Sequence, residues 1–269
     1  MNDGGVMAYL QPREPKGEQV DPNRKHLRNP SPETLTPHKS DQQKGVTPPP
    51  LQKPIEPGAK LIPLVPVGRI TLGRMALADA IRARESRREF ADMALSLEEL
   101  SFLLWATQGV RKVHPEKKWA MRTVPSGGCR HPFETYLRVR RVESLTPGLY
   151  RYCALEHALV GVTSPGADPN VSLAEACYEQ GFVDSAAVTF VWTAIPYRTE
   201  WRYGPDSLKD ILLSCGHICQ NLYLACESIG AGTCAIVAYD QDLLDRFLGV
   251  DGKDEIALYV APVGRTVRA

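Results

Sequence analysis

Between residues 84 and 88 the chain reads Arg-Glu-Ser-Arg-Arg, three guanidinium groups and a hydroxyl within five positions. Arginine offers a planar fork of donors that matches phosphate oxygens and stays charged at any working pH. A serine hydroxyl and the amides of a nearby helix end can complete such an anion site. The ordinary fate of a charge run is a solvated face, so the run by itself leaves both readings open.

Other segments stand out less. Pro125-Ser126-Gly127-Gly128-Cys129 and Gly230-Ala231-Gly232-Thr233-Cys234-Ala235 are glycine-rich stretches without the bulk of a Cβ at several positions. Pro262-Val263-Gly264-Arg265 adds a cation near the C-terminal end. Ordinary turn chemistry accounts for any one of these glycines equally well. Trp201-Arg202-Tyr203 places a phenol beside a guanidinium. No nucleophile elbow and no Ser-His-Asp order is present, which leaves hydrolase chemistry without support. Among the histidines, His131 lies beside the Ser126 segment, His114 reads as solvated, and His217 reads as a core residue of an apolar helix. No metal site is expected.

The elements that must position these residues follow from the pattern. The 13 prolines within residues 1–66, with much Lys, Glu and Gln and few aromatics, predict an extended or disordered arm whose apolar end, Leu61–Val67, lies along the body. Residues 67–269 then form the folded domain. A helix is expected over Ile70–Arg84. A capping box, Ser96-Leu97-Glu98-Glu99, opens a second helix that stops at Gly109. Residues 111–132 read as a long polar loop. Thr135–Val142 reads as a strand that the Thr146-Pro147-Gly148 turn joins to a hairpin partner. Further expectations are a short helix over Val171–Gln180, a buried strand over Ala186–Ala194, and a long helix over Leu208–Ile229 that is apolar on most sides. A strand at Thr233–Ala238, a helix at Gln241–Leu248 and a strand at Ile256–Val263 complete an α+β pattern.

Composition excludes some classes. At 269 residues, 43% hydrophobic and with a net charge of +1, the chain suits a soluble domain with a sizeable core and has no global field for nucleic acid or anionic membrane. No apolar run reaches the length of a membrane span, and the first residues lack a secretory pattern. Seven cysteines with no CxxC pair read as reduced and structural, in a cytoplasmic protein.

Together these segments resemble the nitroreductase-like flavoproteins, and within them the SagB-type dehydrogenase branch. The resemblance extends over roughly residues 70–267. It also draws on Ser96-Leu97-Glu98-Glu99-Leu100, Leu104-Trp105-Ala106, Gln108-Gly109, Pro147-Gly148-Leu149-Tyr150-Arg151-Tyr152, Trp201-Arg202-Tyr203-Gly204 and Gly216-His217-Ile218-Cys219-Gln220-Asn221-Leu222. It implies an α/β sandwich with a mostly antiparallel central sheet, an intertwined homodimer, and one FMN per site built from both chains. Carried onto this sequence, Arg84, Ser86 and Arg88 hold the phosphate and ribityl chain, with Glu85 contributing its backbone. Pro125, Ser126, Gly127 and Gly128 form the partner's wall beside the ring. Gly232, Thr233, Cys234 and Ala235 bring amides to the ring near its redox-active nitrogen. Arg265 supplies a second phosphate cation, with Gly264 beside it in the cofactor site, while Arg87 faces solvent.

The implied activity is hydride transfer from NAD(P)H through FMN to a small acceptor such as a nitroaromatic, a quinone or a conjugated compound. With no G-x-G-x-x-G fingerprint, nicotinamide would share the acceptor's slot. The alternatives are a SagB-type dehydrogenase acting on a peptide heterocycle, and a flavin-binding protein without catalysis. In azoline-oxidising members a Lys-Tyr pair acts in proton removal. Here Arg202 stands at the lysine position, and arginine cannot serve as a base, which leaves Tyr203 as acid or hydrogen-bond donor.

Overall fold

The computed structural model describes residue 27 and residues 39–162 and 172–267. In chain order the strands and α-helices are β1 (Leu61–Pro63), α1 (Leu77–Ala83), α2 (Leu97–Gln108), β2 (Val110–Val113), β3 (Ala120–Arg122), β4 (Phe133–Val139), β5 (Gly148–Cys153), β6 (Ala158–Gly161), α3 (Leu173–Ala176), α4 (Gly181–Ser185), β7 (Val188–Ala194), α5 (Tyr197–Tyr203), α6 (Ser207–Glu227), β8 (Ala231–Thr233), α7 (Gln241–Leu248) and β9 (Ile256–Arg265).

Seven strands make one sheet in the order β1-β6-β5-β4-β7-β9-β8, with antiparallel pairing throughout. Alternation along the strands loads both faces. Leu137, Val139, Phe190 and Trp192 join the core beneath α2 and α6, while Tyr136 and Val191 point to the opposite core under α3, α4 and α7. The result is helices on both sides of a central sheet, as expected for an α+β sandwich. The capping box forms as read: Ser96 Oγ accepts the Glu99 amide and Glu99 Oε2 accepts the Ser96 amide.

Several boundaries differ from the sequence expectation. The helix expected over Ile70–Arg84 is confined to Leu77–Ala83. Gly73, at φ +73°, turns the chain against Phe102 so closely that a Cβ would sit 2.3 Å from the ring. The expected loop over 111–132 contains the β2–β3 hairpin, whose short polar strands carry no apolar alternation. The strand expected over Thr135–Val142 runs Phe133–Val139. The helix expected from Val171 is a single turn at Leu173–Ala176, and residue 171 lies outside the described residues. The long helix is not buried all round: Leu208, Leu212 and Leu213 are exposed, with Gly216, His217 and Gln220 continuing the same open side.

Of the stretch expected as an arm, residues 39–66 run along the body. β1 pairs with β6, Arg122 donates to the Leu51 carbonyl, and Arg151 donates to the carbonyls of Lys53 and Pro54. Beneath them Glu134, 2% exposed, accepts from Arg198 at 2.6 Å and Arg151 at 3.2 Å, and also takes the Lys53 amide. Removing one carboxylate from such a network leaves buried guanidinium groups uncompensated. Glu134→Ala is therefore expected to lower stability by about 3–5 kcal/mol, read as a reduced urea midpoint. Exposed pairs such as Arg82–Asp79 are expected to contribute under about 1 kcal/mol when broken.

Candidate functional site

The Arg84–Arg88 segment leaves the end of α1 and crosses the C-terminal half of α6. Arg84 lies over the Tyr223 ring at 5.4 Å, and Ser86 Oγ is 3.1 Å from the Tyr223 hydroxyl. Arg88 is exposed, and neither it nor Arg84 forms an ion pair among the described residues. Their neighbour behaves differently. Arg87, expected to face solvent, is bound to Glu227 of α6 at 3.2 Å and to Glu85 at 2.7 Å. Arg265 is likewise occupied. It donates to Glu99 at 2.5 Å and to the Ile229 carbonyl at 2.8 Å. Thus Arg84 and Arg88 remain uncompensated cations, while Arg87 and Arg265 fasten the loop and the end of β9 to the helices.

Strand β8 lies against this loop. The Arg87 amide donates to the Thr233 carbonyl, and the Ala235 amide donates to the Tyr223 hydroxyl at 2.9 Å. Glycine is required at two places here. A Cβ on Gly232 would come within 2.5 Å of the Arg87 side chain, and one on Gly264 within 2.8 Å of Phe90. Thr233 is buried, and its hydroxyl has no partner among the described residues. Cys234 is buried and Ala235 half-buried beside it.

The Pro125–Cys129 turn sits elsewhere, at the start of α6. Ser126 Oγ accepts the His131 amide and lies 3.3 Å from Ser214 Oγ. Gly128, at φ +55°, lies so close to α5 that a Cβ would meet Arg202 at 2.6 Å and the Tyr203 hydroxyl at 2.9 Å. Pro125 is exposed, and Gly127 faces Asp210 of α6. Arg202 is exposed, lies 5.6 Å over the Tyr203 ring, and pairs with no carboxylate among the described residues. Arg130 stacks on Trp201 at 5.0 Å.

The structure therefore gathers the predicted site residues into two clusters. Ser214, which touches the Ser126 cluster, and Tyr223, which touches the Ser86 and Ala235 cluster, are nine residues apart on α6, about 13 Å along its axis. Sequence reasoning missed Tyr223. Its place in the apolar pattern of α6 reads as core, and its hydroxyl contacts come from distant segments. The reading of His217 as a core residue is corrected, since it is exposed on the open side of α6. His131 is buried instead. The buried thiols Cys215 and Cys219 are pushed up to about 12 by loss of solvent, which makes them inert.

Burial, with the charges of Arg122 and Arg130 beside it, pushes His131 from 6.5 down to about 3. An unfolded chain binds this proton below about pH 6.5, but the folded chain resists it until about pH 3. Stability therefore falls as pH drops through that window, and the contribution vanishes above it. His131→Gln is expected to flatten the acid-side slope, which reaches at most about 1.4 kcal/mol per pH unit for one group. Urea midpoints measured between pH 7 and pH 4 would check this.

Comparisons with known proteins give the family. The nitroreductase family profile matches residues 81–265. The "Putative nitroreductase MJ1384" of Methanocaldococcus jannaschii is 31% identical over 191 residues, spanning 71% of this chain and 91% of that protein. The fold is similar to a crystal structure from Anabaena variabilis, also described as a nitroreductase of putative standing (TM-score 0.67, 23% identity). That match covers 91% of this chain, which spans about half, 46%, of the longer relative. A similarly described Ralstonia eutropha structure gives TM-score 0.59 at 24% identity, over 81% of this chain and 99% of that one. A chain of the E. coli microcin synthetase McbBCD complex, solved with truncated pro-MccB17 bound, gives TM-score 0.51 at 17% identity, over 94% and 93%. The match across the segment that carries both clusters, together with the relative above 30% identity, establishes that this chain belongs to the nitroreductase family.

Proposed function

We propose that the chain is an FMN-dependent oxidoreductase whose cofactor-binding residues are those of the Arg84–Arg88 and Gly232–Ala235 cluster. The observation that carries this reading is the difference among neighbouring arginines. Arg87 and Arg265 are ion-paired, whereas Arg84 and Arg88 have no carboxylate partner among the described residues and flank the Ser86 hydroxyl. A phosphate monoester fits that set, because it needs cations and donors and offers only acceptors. Beside this set, Thr233 has a buried hydroxyl with no partner among the described residues, and Gly232 lets Arg87 pack directly on the backbone.

Bound there, FMN would supply hydride chemistry, taking two electrons from NAD(P)H for a nitroaromatic, quinone or other conjugated acceptor. The chain's own residues do the rest. Arg84, Ser86 and Arg88 bind the phosphate end. The segment just after β8 would lie along a flat ring with the Ala235 amide held by Tyr223, and Gly232 makes room for the Arg87 side chain that ties this segment to the phosphate loop. Gly264 lets Phe90 close the far side of the same segment.

The Ser126–Gly128 wall completes the site in a homodimer. Within one chain it lies at the other end of α6, and the open side of α6 carries Leu208, Leu212 and Leu213. Covering that apolar side with a second copy would bring a partner's wall to each Ser86 cluster. Arg202 and Tyr203, packed on Gly128, would then face the substrate. Tyr203 can donate a proton or a hydrogen bond, and Arg202 can bind an anionic group but cannot act as a base.

A second reading is supported by the fold likeness to the microcin synthetase chain: a SagB-type dehydrogenase that oxidises a peptide heterocycle with O₂ as final acceptor. Arg202 weighs against it as the site of proton removal.

The test is the visible spectrum of the purified protein, followed by anaerobic stopped-flow mixing with NADH and NADPH. Retained yellow FMN that bleaches rapidly with one nicotinamide supports the first reading. FMN that bleaches only with an azoline peptide supports the second, and FMN that bleaches with neither marks a flavin-binding protein without this activity. Protein that retains no FMN on reconstitution overturns the proposal. Arg84→Ala and Arg88→Ala are each expected to weaken FMN binding by about 1.5–3 kcal/mol, the usual loss for one charge-assisted contact. Fluorescence titration of FMN would measure it.

A further inference from the structure

The Tyr223 side chain touches both halves of the cofactor-binding cluster. Its ring lies under the Arg84 guanidinium at 5.4 Å. Its hydroxyl oxygen accepts the Ala235 amide at 2.9 Å, and Ser86 Oγ lies 3.1 Å from the same oxygen. α6 holds the residue from behind, with Leu222 fully buried and Cys219 and Cys226 buried on the same helix.

We infer that Tyr223 is a positioning residue that aims the Ser86 proton at the phosphate and locks the ring-side amide segment to the phosphate loop. The inference rests on the FMN reading above and extends it. The geometry lets either hydroxyl donate to the other, and binding a phosphate selects between the two directions. A phenol has one proton and can also accept. Because the Tyr223 oxygen already accepts from the Ala235 N–H, its own proton is free for Ser86 Oγ. Ser86 then accepts from Tyr223, and its proton points away from Tyr223. A phosphate has acceptors alone to offer, so only this direction lets Ser86 bind it as a donor. The reverse direction would aim the serine proton at the tyrosine and leave lone pairs facing phosphate oxygens.

The same hydroxyl fixes the Ala235 amide, and the Arg87 amide bonded to the Thr233 carbonyl stitches the two strands of the cluster one step further on. Tyr223 thereby couples how tightly the phosphate is held to where the β8 amides stand.

The experiment compares wild type, Tyr223→Phe and Ser86→Ala. FMN and riboflavin dissociation constants are read by fluorescence, and the absorption spectrum and midpoint potential of the bound flavin are also recorded. Tyr223→Phe keeps the ring beneath Arg84 and removes only the hydroxyl. It is expected to weaken FMN about tenfold, as for one or two hydrogen bonds, and to shift the flavin spectrum and potential. Ser86→Ala, an exposed position that leaves the fold intact, is expected to weaken FMN similarly, to leave riboflavin affinity unchanged, and to leave the spectrum unmoved. The double variant should lose less than the two single losses combined, because one acts through the other. FMN affinity within twofold of wild type in Tyr223→Phe would overturn the inference. So would weakened binding with an unmoved spectrum and potential, which would make the residue a support for the phosphate end only. If Tyr223→Phe does not fold, additive losses in Ser86→Ala and Tyr223→Trp would overturn it in the same way. Wild type that binds riboflavin and FMN equally would overturn the phosphate role itself, whereas wild type that binds neither would remove the FMN reading and this inference with it.

Discussion

The 21 residues of α6 make a rod about 30 Å long, and the two clusters of predicted site residues hang on its opposite ends. At its start, Asp210 and Ser214 meet the Ser126–Gly128 turn. Near its end, Tyr223 and Glu227 meet the Arg84–Arg88 loop and the residues around β8. A helix of this length cannot bend enough to bring its ends together. Within one chain the two clusters therefore stay separate, and the exposed Leu208, Leu212 and Leu213 on the open side of α6 are where the proposed second copy would dock. The sheet supports this geometry. β9 ends at Arg265, and its pairing with β8 fixes Gly232 opposite Gly264.

Buried carboxylates then decide what each arginine does. Glu227 takes Arg87, Glu99 takes Arg265, and Glu134 takes Arg151 and Arg198. Each of these acids is nearly sealed from solvent, so each guanidinium so paired is spent on architecture, and losing its partner would leave an uncompensated charge. Arg84 and Arg88 escape that pairing. A cation left free beside a hydroxyl is what an anionic cofactor tail requires, and this contrast within one five-residue run carries more weight than the run's total charge.

Much of this was legible in the sequence, and the failures have physical causes. The capping box at Ser96 was readable because both of its hydrogen bonds are local. The β4–β5 hairpin was readable from its turn, and β7 from its apolar run. The role of Arg87 was not, because its partner lies 140 residues away. Arg265 looked like a free cation for the same reason: Glu99 is contributed by the capping box, and nothing local reveals that its second oxygen is available. Composition marked residues 1–66 as unable to bury surface, yet residues 39–66 are held through their backbone carbonyls by Arg122 and Arg151. That mode of attachment leaves no trace in the side chains of the held segment. Tyr223 was hidden by its neighbours, since a tyrosine in a run of Leu, Ala and Cys reads as packing until the positions of Ser86 and Ala235 are known.

In the proposed assembly two copies of this chain together hold FMN, with each phosphate on one chain's Arg84, Ser86 and Arg88. Sedimentation of the reconstituted protein, monitored at both the flavin and the protein absorbance, tests it most directly. The account predicts flavin co-sedimenting with a particle of two chains, at one FMN per chain. Flavin bound to a single chain, or a two-chain particle that carries none, would contradict it.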